Sequence, residues 1–148
     1  MIGLVIIEMA SEHVSSLAQI EKQCFSTPWS ENALAEEIEN PNARFFVALC
    51  GEQVAGYIGA HNIVGEVYIT NVAVAPDYRR QGVATQLIER LVEISRAENA
   101  EFITLEVREN NTSAQALYEK QSFGVVGKRK AFYENPREDA ILMTINLK

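Results

Sequence analysis

The sequence is poor in cysteine, histidine and positive charge, and it has no long apolar run. Its two cysteines, Cys24 and Cys50, form no C-x-x-C motif and sit among apolar neighbours. They read as buried free thiols, not as a disulfide or a metal pair. The two histidines, His13 and His61, lack the spacing of metal ligands, so no metal is expected. Acidic residues outnumber basic ones, 20 to 13, for a net charge of −7. That balance argues against nucleic acid as a partner. It suits a cationic partner such as a basic peptide or an amine, and it equally suits simple solubility.

No stretch reaches the roughly 20 apolar residues of a membrane helix, so no membrane partner is expected. Residues 1–9 alternate apolar side chains and carry Glu8, without a basic n-region or a small-residue cleavage site. They are not read as a signal peptide, and the expected location is cytoplasmic. No repeat, low-complexity segment or linker interrupts the 148 residues, so residues 1–148 are expected to form one domain. The apolar fraction, 47%, and the charged fraction, 22%, are those of an ordinary globular chain.

What is present is a regular alternation of strand and helix signals. Residues 2–7 read as a first strand. Ser11 can cap a helix with Val14, Leu17, Ile20 and Cys24 on its apolar face. Ser30, after Pro28-Trp29, can cap a second helix that Asn40-Pro41 stops. Residues 44–49, 54–60 and 66–74 then read as an antiparallel meander. In the last of these, Val67 and Ile69 are apolar at odd positions, but Val72 and Val74 at even ones. A slip of one residue near Thr70-Asn71 is what a β-bulge leaves. A strand buried on both faces would leave the same trace.

A third helix carries the stripe Val83, Ala84, Leu87, Ile88, Leu91 and Val92. Residues 102–107 form a fifth strand, and a fourth helix runs from about Asn111 or Thr112 to Gln121. Strands at 125–132 and 140–147 close the chain, the last with Ile141, Met143, Ile145 and Leu147 on one face.

Between the fourth strand and the third helix lies Arg79-Arg80-Gln81-Gly82-Val83-Ala84. The first N–H groups of a helix have no partner within it and sit at the positive end of its dipole. A phosphate can accept from them where the backbone approaches closely, which Gly82 and the small Ala84 permit. Six residues of this form are common, and a loop with solvated arginines is the plainer reading of them alone. The segment is neither a P-loop nor a dinucleotide fingerprint, since no Gly-Lys-Ser/Thr and no G-x-G-x-x-G is present.

In context, the chain resembles the GNAT superfamily of N-acetyltransferases, whose Arg/Gln-x-x-Gly-x-Gly/Ala pattern Arg79, Gly82 and Ala84 fill. The resemblance covers essentially the whole chain. It implies an α+β fold in three layers: a mixed, mostly antiparallel seven-stranded sheet flanked by about four helices. A splay between strands four and five would take the pantetheine arm of acetyl-CoA.

Pro28-Trp29-Ser30, Asn71-Val72-Ala73-Val74, Leu105-Glu106-Val107-Arg108, Asn111, Ala116-Leu117-Tyr118-Glu119 and Glu138-Asp139-Ala140 narrow the resemblance to the RimI subfamily. Its members acetylate the N-terminal alanine of small-subunit ribosomal protein eighteen. The implied activity is an acetyl-CoA-dependent N-alpha-acetyltransferase, with a protein N-terminus as acceptor. Alternatives are a GNAT enzyme acting on lysine side chains or small amines, and a non-catalytic coenzyme A-binding module.

The resemblance implies roles. Val72, Ala73 and Val74 present backbone to pantetheine. Arg80, Gln81, Gly82, Val83, Ala84 and Thr85 wrap the pyrophosphate, and Asn111 contacts the cofactor. Glu106 is the general base and Tyr118 the proton donor to the leaving thiolate. Residues 129–133 face the acceptor.

From spacing alone, Glu106 lies opposite in face to Ile103, Leu105 and Val107, near the end of its strand. The commoner reading of such a glutamate is a solvated or salt-bridged one, with Arg108 at hand. Tyr118 by itself reads as a core aromatic beside Leu117. Trp29 and Tyr133 fit an acceptor groove and fit helix-cap and hairpin packing equally well.

Overall fold

Seven strands and four helices carry these patterns in the computed structural model, which describes residues 3–148. Strand β1 (Val5–Glu8) is shorter than residues 2–7, and Ile2 lies outside the described residues. Helices α1 (Val14–Cys24) and α2 (Glu31–Ile38) follow, then strands β2 (Ala43–Cys50), β3 (Gln53–Ile63) and β4 (Glu66–Val74) as the expected meander. Helix α3 (Val83–Ala97) leads to β5 (Phe102–Arg108), α4 (Thr112–Lys120), β6 (Gly124–Tyr133) and β7 (Glu138–Asn146). Tyr133, expected in the turn after β6, closes that strand by pairing with Glu138.

The caps explain the helix starts, with one correction. The Ser30 hydroxyl accepts the Ala33 N–H at 3.1 Å, and the Asn111 amide oxygen accepts the Ala114 N–H at 3.1 Å. Ser11 does not cap α1. It opens a 3₁₀ turn (Ser11–His13), and the buried His13 ring accepts the Ala10 N–H at 2.9 Å. The ring serves an N–H ahead of the helix, and α1 has no side-chain cap and begins only at Val14, after the 3₁₀ turn.

The sheet runs β1-β2-β3-β4-β5-β7-β6, with every pairing antiparallel except β4 with β5. Its two faces carry separate cores. Leu17, Ile20 and Leu34 of α1 and α2 pack on Phe45, Val47 and Tyr57. Leu87, Ile88 and Leu91 of α3, with Tyr118 of α4, pack on Phe46, Ile58, Val67, Ile103 and Met143. Alternating side chains of β2 serve the two faces in turn, which is why its Phe45 and Phe46 are both buried. Each fully buried leucine contributes about 1.5–3 kcal/mol. Cys24 and Cys50 are free thiols, as expected, but only half-buried, because each lies at the end of its element. Among the described residues no helix is long and apolar enough to cross a membrane.

Candidate active site

The phase slip in β4 is a bulge. Gly59 of β3 stands opposite Asn71 and Ala60 opposite Ile69, leaving Thr70 as the extra residue. The bulge puts Val67, Ile69, Val72 and Val74 all on the α3 face. Tyr68, Asn71 and Ala73 fall on the other, where Asn71 and Ala73 are themselves buried. Parallel pairing with β5 covers only residues 66–68 against 102–104. Beyond Tyr68 and Thr104, β4 follows β3 while β5 stays with β7 along its whole length. A wedge opens there, walled by residues 69–74 on one side and by the end of β5 on the other.

At the α3 end of this wedge, the backbone turns left-handed at Arg80 (φ 62) and Gly82 (φ 78). Gly82 is the N-cap of α3 and supplies no capping side chain. The first helical bond runs from Gln86 N–H to the Gly82 carbonyl at 3.1 Å, so the N–H groups of Val83, Ala84 and Thr85 precede the intrahelical ladder. No acid stands in the first turn to neutralise them. A helix of 15 residues thus points its positive end, cleared by glycine, at the wedge. The Val83 side chain is buried in the core, which leaves its backbone alone to face a ligand. The Arg79 guanidinium is turned onto the Val74 carbonyl and the Cys24 sulfur, 3.4 Å from each. Of the two arginines, Arg80 has no such tether among the described residues.

The Glu106 side chain is only 5% exposed. One carboxylate oxygen accepts a hydrogen bond from the Tyr68 hydroxyl, and the other lies 3.3 Å from Arg129 Nε. Arg108, the partner at hand in the salt-bridged reading of Glu106, instead ties down the β6–β7 loop. The Arg108 guanidinium donates to the carbonyls of Pro136 at 2.8 Å and Glu134 at 2.9 Å, and reaches Glu138 at 3.2 Å. It also lies 4.4 Å from the centre of the Tyr133 ring. Residues 106 and 108 share a face of β5, so the pleat does not separate them; Arg108 is drawn away by its bonds to Glu134, Pro136 and Glu138.

Two phenols, Tyr68 and Tyr133, adjoin this carboxylate, and a third, Tyr118, lies beyond Tyr133. Burial, then the hydrogen bond to Glu106, pushes the Tyr68 phenol above its ordinary range. Burial, then the Glu106 charge, pushes Tyr133 up to about 12. Tyr118 is raised chiefly by burial and next by Tyr133. Its ring packs 5.6 Å from that of Phe123 on the α3 face, so Tyr118 and Glu106 approach the wedge from opposite faces.

Trp29 and Tyr133, expected to face an acceptor, lie beside two loops that meet. Trp29 packs its ring 6.1 Å from Phe45, and its backbone N–H donates to Glu21 at 2.9 Å. The Ser26 hydroxyl, in the same loop, donates to the Asn135 carbonyl at 2.5 Å, joining that loop to the β6–β7 loop that Tyr133 begins. The two loops therefore meet at Ser26 and Asn135, and Tyr133 lies within reach of the Glu106 charge. Asn111 uses its oxygen as the α4 cap and keeps its amide nitrogen exposed.

Sequence reasoning missed Tyr68, Glu21 and the approach of Arg129 to Glu106. Tyr68 had a faint signal, a polar aromatic on the even phase of β4 before the slip. Glu21 had a plainer one, an acid four residues after Leu17 on the apolar face of α1. Arg129 had none, because its approach to Glu106 depends on the irregular pairing of β6 with β7 between residues 129 and 133.

The acetyltransferase (GNAT) family model matches residues 14–123. The ribosomal protein bS18-alanine N-acetyltransferase of Escherichia coli (strain K12) is 34% identical over 128 residues, covering 85% of this chain and 86% of its own. A crystal structure of the Escherichia coli ribosomal-protein-S18-alanine N-acetyltransferase superposes with a TM-score of 0.91 at 28% identity, over 99% of this chain and 95% of that one. Arabidopsis thaliana NAA60 in complex with acetyl-CoA shares the fold, with a TM-score of 0.89 at 19% identity over 97% and 99% of the two chains.

Proposed function

The chain belongs to the GNAT family of acetyltransferases, and from that premise we propose that it acetylates the N-terminal α-amine of a protein, with the N-terminal alanine of ribosomal protein bS18 as acceptor. The observation that carries the reading is the buried Glu106 carboxylate at the wedge, hydrogen-bonded by Tyr68. The named substrate of the Escherichia coli relative supports the choice of acceptor.

The wedge and the helix end fit acetyl-CoA. Backbone at Val72, Ala73 and Val74 has a strand partner on the β3 side and none on the β5 side, which suits the amide-bearing pantetheine arm. Residues 80–85 suit the pyrophosphate, and the exposed Asn111 amide suits a further polar contact. When bound, acetyl-CoA supplies the thioester that the amine attacks.

The chain's own residues then move two protons. An α-amine titrates near ~8 and a lysine amine near ~10.4, and only the neutral form attacks. Glu106 takes the amine proton directly or through a water, as a general base. Tyr68 and Arg129 hold one carboxylate oxygen each and fix its direction. Tyr118, kept protonated by burial, gives its proton to the departing thiolate. No protein nucleophile is needed, because the amine itself attacks.

The test is incubation with acetyl-CoA and a hexapeptide that begins with the N-terminus of the species' own bS18, following free thiol and peptide mass. One acetyl on the α-amine is expected, with kcat reduced about 10²- to 10⁴-fold by Glu106→Gln. Equal acetylation of a lysine peptide whose α-amine is blocked would remove the acceptor claim and keep the chemistry. Acetyl-CoA binding without any acetylation would leave a coenzyme A-binding module.

A further inference from the structure

The acceptor side of the sheet contains a buried acid that the proposed chemistry does not use. Glu21 is 1% exposed. Three donors converge on its carboxylate: the Trp29 backbone N–H at 2.9 Å, the Tyr57 hydroxyl at 2.7 Å and the Asn71 amide at 3.4 Å. They come from three different elements. Trp29 lies in the loop before α2, Tyr57 is in β3, and Asn71 follows the bulge residue of β4.

The network has a direction. A carboxylate only accepts, so Asn71 turns its NH₂ toward Glu21 and its amide oxygen away. That oxygen and the adjacent Thr70 hydroxyl are buried with no hydrogen-bond partner among the described residues. Burial first, then the Glu21 charge, keeps the Tyr57 phenol protonated and therefore a donor. Stability alone does not require such an acid, since an apolar side chain of similar volume commonly serves a core as well or better. Its distinctive effect is registration, because it holds the 25–30 loop and the bulge at one separation.

We propose that Glu21 is a positioning residue for the acceptor, which locks the 25–30 loop against Tyr57 and against Asn71 of the bulged strand. The inference rests on the acetyltransferase reading above. Val72, Val74 and the Val83 side chain at the start of α3 are held in the opposite core, and residues 72–74 keep their pairing with β3, so acetyl-CoA binding should not depend on Glu21.

The experiment compares Glu21→Leu, Glu21→Gln and Tyr57→Phe with the wild type in the bS18 peptide assay. Glu21→Leu should raise the peptide KM about tenfold, the factor for roughly 1.4 kcal/mol, with the acetyl-CoA KM unchanged. Glu21→Gln keeps an oxygen for the Trp29 backbone N–H and should recover most of that loss. Trp29 is the sole tryptophan, so quenching of intrinsic fluorescence reads the loop directly. It should increase in Glu21→Leu and return in Glu21→Gln.

Should Glu21→Leu not fold, Tyr57→Phe decides alone, with a peptide KM raised about threefold for one lost hydrogen bond. An unchanged peptide KM, or an equal rise in both KM values, overturns the role of Glu21. A wild-type enzyme that leaves the α-amine untouched overturns instead the functional reading on which it rests.

Discussion

At the scale of single residues, the site is a carboxylate whose two oxygens are both engaged and a phenol held protonated by burial. Glu106 and Tyr118 entered through the family resemblance, because spacing alone favours a solvated acid and a core aromatic. Burial removes the solvated reading of Glu106, the salt-bridged one holds with Arg129 in place of Arg108, and for Tyr118 burial makes core packing and proton donation compatible. The pH dependence follows from the direction of these shifts. A raised phenol stays protonated well past neutrality, so Tyr118 remains a donor at every pH up to about 10. We expect kcat/KM for the peptide to rise with pH through the α-amine value near ~8 and then to level. A pH–rate profile that falls between about 8 and 10 would contradict the assignment of Tyr118.

At the scale of elements, the decisive features are the bulge of β4 and the glycine that caps α3. The bulge was legible as one of two readings of the same phase slip, since both a bulge and a doubly buried strand break a period of two. In the folded chain both hold: Thr70 is the extra residue, and Asn71 and Ala73 are buried on the second face. Gly82 was legible as a residue of close approach, and its φ of 78 adds a conformational reason. Left-handed backbone costs a residue with a side chain about 1–2 kcal/mol. Gly82→Ala should therefore lower Tm by roughly 2–8 °C. It should also weaken acetyl-CoA binding about tenfold, as read by calorimetry. Gly51, at φ 62 with open space around it, provides the control. Gly51→Ala should show the thermal loss without the loss of affinity, and equal affinity losses in both variants would defeat the role given to the α3 terminus.

At the scale of the whole molecule, the folded chain keeps protons that the unfolded chain releases. Tyr57, Tyr68, Tyr118 and Tyr133 are all raised, in each case first by burial. A group raised in the folded state contributes stability that is fully present below its unfolded value and is lost as pH climbs toward the folded one. Tm should thus be insensitive to these phenols below about pH 10 and fall above it, together with the rise of phenolate absorbance. A Tm that holds constant from pH 9 to 11 while phenolate appears would show that these tyrosines do not resist ionisation. The order of elements, the α3 stripe, the Ser30 and Asn111 caps and the Gly82 turn were all set locally, by periods of 2 and 3.6 and by cap chemistry within a few residues. The partners of Glu106 were not, because Tyr68 and Arg129 lie 38 and 23 positions away along the chain and meet it only when β4 pairs briefly with β5 and β6 turns irregular. The convergence of Glu21, Tyr57, Asn71 and Trp29 was likewise decided by the tertiary structure alone, since it needs a helix, two strands and a loop stacked on one sheet face.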